Sequence, residues 1–106
     1  TIIKVIVNED DDVMYMSRLP IPFSNSCLKQ SFKQQVPVYG FTKQALEIFH
    51  KHSKTINEQF EDIELLRFVD LGYKIKMKET YVDSISVDVP SDIQKVETFI
   101  KEKGLI

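Results

Sequence analysis

The sequence is short of the residues that usually announce chemistry. Its one cysteine, Cys27, excludes an internal disulfide, and there is no CxxC or paired-cysteine metal pattern. With no His-Asp signature beside it, Cys27 reads as a plain loop or interface residue. The three glycines, Gly40, Gly72 and Gly104, stand apart, so no Gly-rich phosphate loop exists here. The two histidines, His50 and His52, are i and i+2 near a helix end, where they do not face each other. They read as a solvated helix terminus that favours the dipole. No excess of positive charge is present: 14 Lys and Arg against 16 Asp and Glu give a net charge of -2. The balance gives no push toward nucleic acid or an anionic membrane, and the dispersed cations make no groove. No apolar run approaches the ~20 residues of a membrane helix, and the first residues lack a signal-peptide layout. A cytoplasmic setting fits. The chain opens without Met on a strand-like run, which reads as a piece of a longer protein.

What remains is one domain of 106 residues, 42% hydrophobic and 28% charged. Residues 2–7 form a β-branched run suited to a buried strand. The acidic "NEDDD" reads as a solvated hairpin tip leading into a second strand over 13–17. Residues 18–35 carry Pro20 and Pro22 and read as a long connection or arm. "VPVYGF", 36–41, predicts a third strand, at an edge because of Pro37. Thr42 caps a helix over 43–52 whose apolar face is Ala45, Leu46 and Phe49. Thr55 and Glu58 fit a capping box opening one helix to Leu71, ended by Gly72. Its buried stripe is Phe60, Ile63, Leu66 and Val69. "YKIKMKE", 73–79, alternates as a half-buried strand, and Ile85 and Val87 resume extended structure. Pro90 opens a last helix with Ile93, Val96 and Ile100 at helical spacing. Strands interleaved with helices indicate an α/β fold.

Few residues point to chemistry. "FEDIELLR" places Glu64 and Arg67 three apart, where they could pair, or belong to a charged solvent face. Arg18, ahead of the rigid "PIP", could grip a carboxylate or phosphate bidentately, or be a surface arginine. Asp88, where a strand meets a helix start, could ligate a hard cation such as Mg2+ or favour the helix terminus electrostatically. Asp83 and Asp92 read as solvent-facing.

"MYMSRLPIP", "VYGF" before a helix, "EQFEDIELLRFVDLGYKIKM" and "DSISVDVPSDIQKVE" occur in that order. The set resembles the C-terminal half of the 3-deoxy-manno-octulosonate cytidylyltransferase (CMP-KDO synthetase) family, from about Val5 to Lys101. The resemblance implies a nucleotide-diphospho-sugar transferase, Rossmann-like mixed sheet with flanking helices, and a hairpin and arm used for dimerisation. It implies a cytoplasmic homodimer that joins CTP to a 3-deoxy-2-ulosonic acid with Mg2+, releasing pyrophosphate, in lipopolysaccharide or capsule synthesis. The sugar's anomeric hydroxyl would be the nucleophile, so no protein residue beyond a metal ligand is implied as catalytic.

Residue by residue, Asp88 matches the aspartate of the family's "VDTPEDL", a metal ligand. Arg18 matches an arginine contacting the sugar acid. Tyr39 matches a tyrosine near the sugar in "HIGIYAYR". Glu64 matches the glutamate of "LEQLR", and Glu58 and Gln59 match a supporting "EQ" pair. Two positions depart from the pattern: Gln35 stands where the family has the histidine of "HIGIYAYR", and Leu65 where it has the glutamine of "LEQLR". These changes imply a modified sugar acid, since sites built for hydrogen bonds discriminate strongly. The loop between "PIP" and "VYGF" is short for the family. The family's CTP-cradling N-terminal half is not in residues 1–106, so this chain is expected to be inactive alone. The competing reading is a non-catalytic α/β dimerisation or interaction module. In either reading Val13, Met14, Tyr15, Met16 and Phe23 are expected to supply an apolar contact to a second subunit.

Overall fold

The computed structural model describes residues 2–25, 32–81 and 88–104. Cys27, Asp83, Ile85 and Val87 lie outside the described residues. Strands β1 (Lys4–Val7) and β2 (Val13–Ser17) form the expected antiparallel hairpin, with Val5 opposite Met16. The tip is built by Asn8, whose Oδ1 accepts from the backbone N–H groups of Asp10 and Asp12 at 2.9 and 3.0 Å. Asp11 takes a left-handed conformation there, which Asp tolerates in tight turns. The tip is not uniformly solvated: Asp12 is buried and ion-paired with Lys76 Nζ at 3.2 Å.

The third strand lies elsewhere than predicted. β3 is Lys33–Gln34, inside the expected arm, and pairs antiparallel with β1 to give the order β2-β1-β3. Gln35 N–H adds one more bond to Ile3 O at 2.8 Å. The ladder stops there, and residues 36–41 are irregular. Pro37 has no N–H with which to continue it. Residues 73–79 are likewise not a regular strand. They touch the sheet through one antiparallel bridge, Lys76 to Asp12, with Val13 N–H donating to Ile75 O and Met77 N–H to Asp11 O. The α/β composition expected from the sequence stands, and every described strand pair is antiparallel.

Helix α1 (Lys43–Lys51) starts as anticipated, with Thr42 Oγ1 accepting from Ala45 N–H at 3.1 Å. Its inner face is Ala45, Ile48 and Phe49; Leu46 points outward. Thr42→Ala should cost about 1 kcal/mol of stability, read from the urea midpoint, because that amide loses its partner. An unchanged midpoint would show that the cap contributes nothing.

The single helix expected over 55–71 is two. α2 (Ile56–Glu61) ends at Asp62 in a left-handed conformation, and α3 (Leu66–Asp70) resumes after a turn. The break redirects the buried face. Phe60 is 78% exposed, whereas Leu65 and Phe68 join Ile63, Leu66, Val5 and Met16 in the core. Gly72, at a φ of 84°, ends α3 as expected. α4 (Ser91–Glu102) follows Pro90, and none of its residues is fully buried. Of the five apolar residues assigned to an intersubunit contact, Met16 is wholly buried and Val13 and Tyr15 are partly so. Only Met14 and Phe23 remain well exposed: the register shift between Ile6 and Val7 leaves Met14 with no opposite residue in the ladder, while Met16, opposite Val5, stays in the core.

Candidate functional site

Two arginines organise the helical layer by binding the carbonyls that helix C-termini leave without partners. Arg67, read from the sequence as a partner for Glu64 or as a solvent-facing charge, is buried with Glu58. Its Nε and Nη2 donate to the Glu58 carboxylate at 2.7 Å each, and its Nη1 donates to Phe49 O and His52 O at the end of α1. The guanidinium also lies 3.7 Å from the centre of the Phe49 ring. The Arg67 hydrogen bonds hold the Glu58 carboxyl below its ordinary value, outweighing burial.

Arg18 does the same at the break. Its Nε donates to Glu61 O at 2.7 Å and its Nη2 to Asp62 O at 2.8 Å. One fork of the guanidinium is therefore occupied by backbone. A bidentate grip on a substrate carboxylate would have to use the Nη1–Nη2 edge. Glu61 Oε1 lies 3.4 Å from the Arg18 amide, and Glu61 also hydrogen-bonds Tyr15. Burial first, then this carboxylate, pushes the Tyr15 phenol above its ordinary value.

The chain brings together two of the singled-out residues, four apart in sequence. Gln35 Nε2 donates to the Tyr39 hydroxyl. Burial, and next the negative charge of Glu64, raise the Tyr39 phenol above its ordinary value, with the Gln35 bond acting in the opposite direction. Tyr39 is anchored through a line of rings: it meets Phe41 edge-on at 6.1 Å, and Phe41 packs on the core residue Phe68 at 6.0 Å. Gln35 Oε1 is buried without a partner among the described residues, an acceptor facing no donor. Tyr39 and Leu65 both line a cleft of about 300 Å³ with Phe41, Phe68, Lys74 and Ile75. The Leu65 position thus presents an apolar wall to that cleft.

The other singled-out residues stand apart from this group. Gln59 Nε2 donates to Lys54 O at 3.0 Å and ties α2 to the preceding loop. His50 and His52 are exposed at the end of α1, with His52 Nδ1 2.8 Å from Ile48 O. At the start of α4 the carboxylate that accepts from the backbone is Asp92, read from the sequence as solvent-facing: its Oδ2 takes the N–H groups of Asp88 and Val89 at 3.1 and 3.2 Å. Those amides, first, hold the Asp92 carboxyl below its ordinary value. Asp88 is exposed and contributes its amide to this cap. Among the described residues no group of three or more His, Cys, Asp or Glu could hold a metal. A single exposed carboxylate does fit one oxygen position of Mg2+, which takes one or two protein carboxylates and completes its shell with water and phosphate.

The sequence reading missed Arg67 as the organising residue. No local signal in the chain points to it, since a capping-box Glu58 accepts from the Thr55 amide and by itself calls for no cation. Nine residues along a straight helix is about 180° of rotation, so Glu58 and Arg67 would face opposite ways. Only the break at Asp62 lets them meet.

No family model matches the chain. Curated relatives named 3-deoxy-manno-octulosonate cytidylyltransferase do. The protein from Christiangramia forsetii is 35% identical over 99 residues, 92% of this chain and 40% of its own length. The Nitratiruptor protein is 35% identical over 94 residues, 89% of this chain and 39% of its own. The Escherichia coli protein is 29% identical over 101 residues, 95% and 41%. A solved CMP:2-keto-3-deoxy-manno-octonic acid synthetase complexed with CTP superposes with a TM-score of 0.87 at 28% identity, over 96% of this chain and 42% of its own. The chain spans about two fifths of the length of these relatives. By sequence and by fold, this chain is similar to about two fifths of the length of 3-deoxy-manno-octulosonate cytidylyltransferases.

Proposed function

We propose that residues 1–106 are the sugar-acid side of an enzyme that transfers CMP from CTP to a 3-deoxy-manno-octulosonate-type acid and releases pyrophosphate, in lipopolysaccharide or capsule synthesis. The observation that carries this reading is the bond of Gln35 to Tyr39 beside a cleft walled by Tyr39 and Leu65, within reach of the negative charge of Glu64. Tyr39, kept protonated, can donate to a sugar hydroxyl, and Gln35 Oε1 can accept from one. Arg18, held by the end of α2, would offer its remaining edge to the sugar carboxylate. Asp88 would supply one oxygen ligand to Mg2+. When bound, the ion would gather the triphosphate and the sugar acid and offset their charge. CTP would be held by residues outside 1–106, and the setting would be a cytoplasmic homodimer.

Gln35 and the apolar Leu65 favour a modified sugar acid, amino-substituted for example, over 3-deoxy-manno-octulosonate itself. An unpaired buried acceptor at Gln35 Oε1 suits a strong donor such as an amino group.

The test joins this chain to the part of the Christiangramia forsetii protein that it does not match, giving a chimaera. Pyrophosphate release should require both CTP and a sugar acid, and should be absent from the 106-residue chain alone. An amino-substituted acid should be used at least ten times more efficiently than the parent acid, about 1.4 kcal/mol of discrimination. A folded chimaera with no activity toward any of these acids, or release by the chain alone, would sink the reading.

A further inference from the structure

Arg18 is half-buried yet fixed at both ends. Its amide donates to Glu61 Oε1 at 3.4 Å, and its carbonyl accepts from Lys4 Nζ at 3.0 Å. Its Nε and Nη2 reach Glu61 O and Asp62 O, more than forty positions away. A surface arginine gives up rotamer freedom when it grips a ligand; here the fold has already removed that freedom.

The clamp leaves the charge in place. Both guanidinium bonds go to carbonyl oxygens, and among the described residues no carboxylate forms an ion pair with Arg18. Arg67 is the contrast, since its charge is taken up by Glu58. Asp62 makes the difference. It closes α2 with a φ of 56° and a ψ of 49°, the left-handed conformation. In a continuing helix the carbonyls of Glu61 and Asp62 would accept from Leu65 and Leu66. Leu66 N–H donates to Ile63 O at 3.1 Å instead, and the two carbonyls are left for Arg18.

We infer that Asp62 is a positioning residue for the sugar-acid site: its left-handed turn releases the carbonyls that aim Arg18 and leaves the outer edge of the guanidinium charged and open to the substrate carboxylate. The backbone of Asp62 does this, and its exposed carboxylate takes no part. The inference rests on the part given to Arg18 in the proposed reaction.

Asp62→Val in the chimaera tests it. A β-branched residue does not settle in the left-handed region, so the carbonyls should turn away and Arg18 should lose its clamp. KM for the sugar acid should rise about tenfold, while kcat and KM for CTP stay within about twofold of the parent's. Asp62→Gly and Asp62→Asn accept the left-handed conformation and should keep the parent's KM for the sugar acid. If Asp62→Val does not fold, Asp62→Ala takes its place, with a rise of about threefold. In the isolated chain, the Arg18 Nε–H should exchange slowly with solvent in the parent and in Asp62→Gly, and fast in Asp62→Val, a readout that needs no activity. A residue that served stability alone would lower the melting temperature without a selective rise in one KM. An unchanged sugar-acid KM in Asp62→Val and Asp62→Ala, an equal rise in Asp62→Gly, or unchanged exchange of the Arg18 Nε–H would each overturn the inference. Arg18→Ala in the same assay separates the two readings. If it leaves the sugar-acid KM unchanged, the part of Arg18 in the reaction falls and the positioning role falls with it. If it raises that KM and Asp62→Val does not, only the positioning role falls.

Discussion

Arg67→Ala should leave the chain about 3–5 kcal/mol less stable, enough to unfold a domain of this size or bring it to the edge of unfolding. The loss is not that of one ion pair. Removing the guanidinium strands a Glu58 carboxylate that is only 3% exposed, and it frees the carbonyls of Phe49 and His52 at the end of α1. It also removes the cation stacked on Phe49. Arg67→Lys should recover little, because an ammonium cannot meet the carboxylate side-on and reach the α1 carbonyls at once. A paired change to Arg67→Met with Glu58→Leu should be much less damaging than either single truncation, since no charge is then left buried. Urea denaturation of these three variants and of Glu58→Leu alone checks this, and an unfolding free energy for Arg67→Ala within about 1 kcal/mol of the parent's would remove Arg67 from its organising role.

The same pair gives a pH dependence of definite sign. The folded Glu58 carboxyl lies below its ordinary value of 4.5. The folded Asp70 carboxyl also lies below its own, 3.8: burial opposes ionisation, but bonds from the Asn57 side chain and backbone outweigh it. Groups depressed in this way contribute stability that is present above their unfolded values and lost as pH falls through the folded ones. The chain should therefore hold its stability down to about pH 4.5 and lose it progressively below. In Arg67→Ala, burial then opposes ionisation of Glu58, so its share of that acid-side slope should be lost or reversed.

Asp88→Asn should lower turnover of the chimaera by about 100-fold or more while leaving the stability of the isolated chain unchanged. The two halves of this prediction have different sources. Asp88 is exposed and contributes to the α4 cap through its backbone amide, which asparagine retains. Among the described residues no hydrogen bond or ion pair holds its carboxylate, and the effect on turnover reports its proposed part in holding Mg2+. A steeper requirement for Mg2+ in the variant would accompany the loss. Unchanged turnover at limiting Mg2+ would remove Asp88 from the metal site, and a fall in stability would show that the residue acts on the fold. Asp92→Asn is the contrasting change: its carboxylate binds the two amides, so it should loosen the start of α4 without a selective effect on Mg2+ dependence.

What local pattern controls was readable. The β-branched run before an acidic tip made the hairpin, Thr42 before an amphipathic stretch made α1, and Gly72 closed the helical segment, all through interactions within a few residues. The motifs also carried the family, because order and spacing survive where single residues diverge. Where the reading failed, a distant group decided. Residues 55–71 have a helical period throughout, yet Arg18, more than forty positions away, binds the carbonyls at Glu61 and Asp62 where the helix breaks. Residues 36–41 have a strand's composition, but a strand forms only where a neighbour supplies the other half of its hydrogen bonds.

By itself, then, the sequence determined the hairpin, the starts of α1, α2 and α4 and the family likeness, since caps, turn residues and periodicity act over one or two turns of chain. The tertiary structure alone decided that Arg67 is buried against Glu58, that Tyr39 and Leu65 wall one cleft, and that the Asp92 side chain rather than that of Asp88 accepts the backbone amides just before α4. The first two depend on a chain reversal that brings together groups no local period relates. The third turns on whether a side chain or a backbone amide points inward at the helix start, and only the folded geometry sets that.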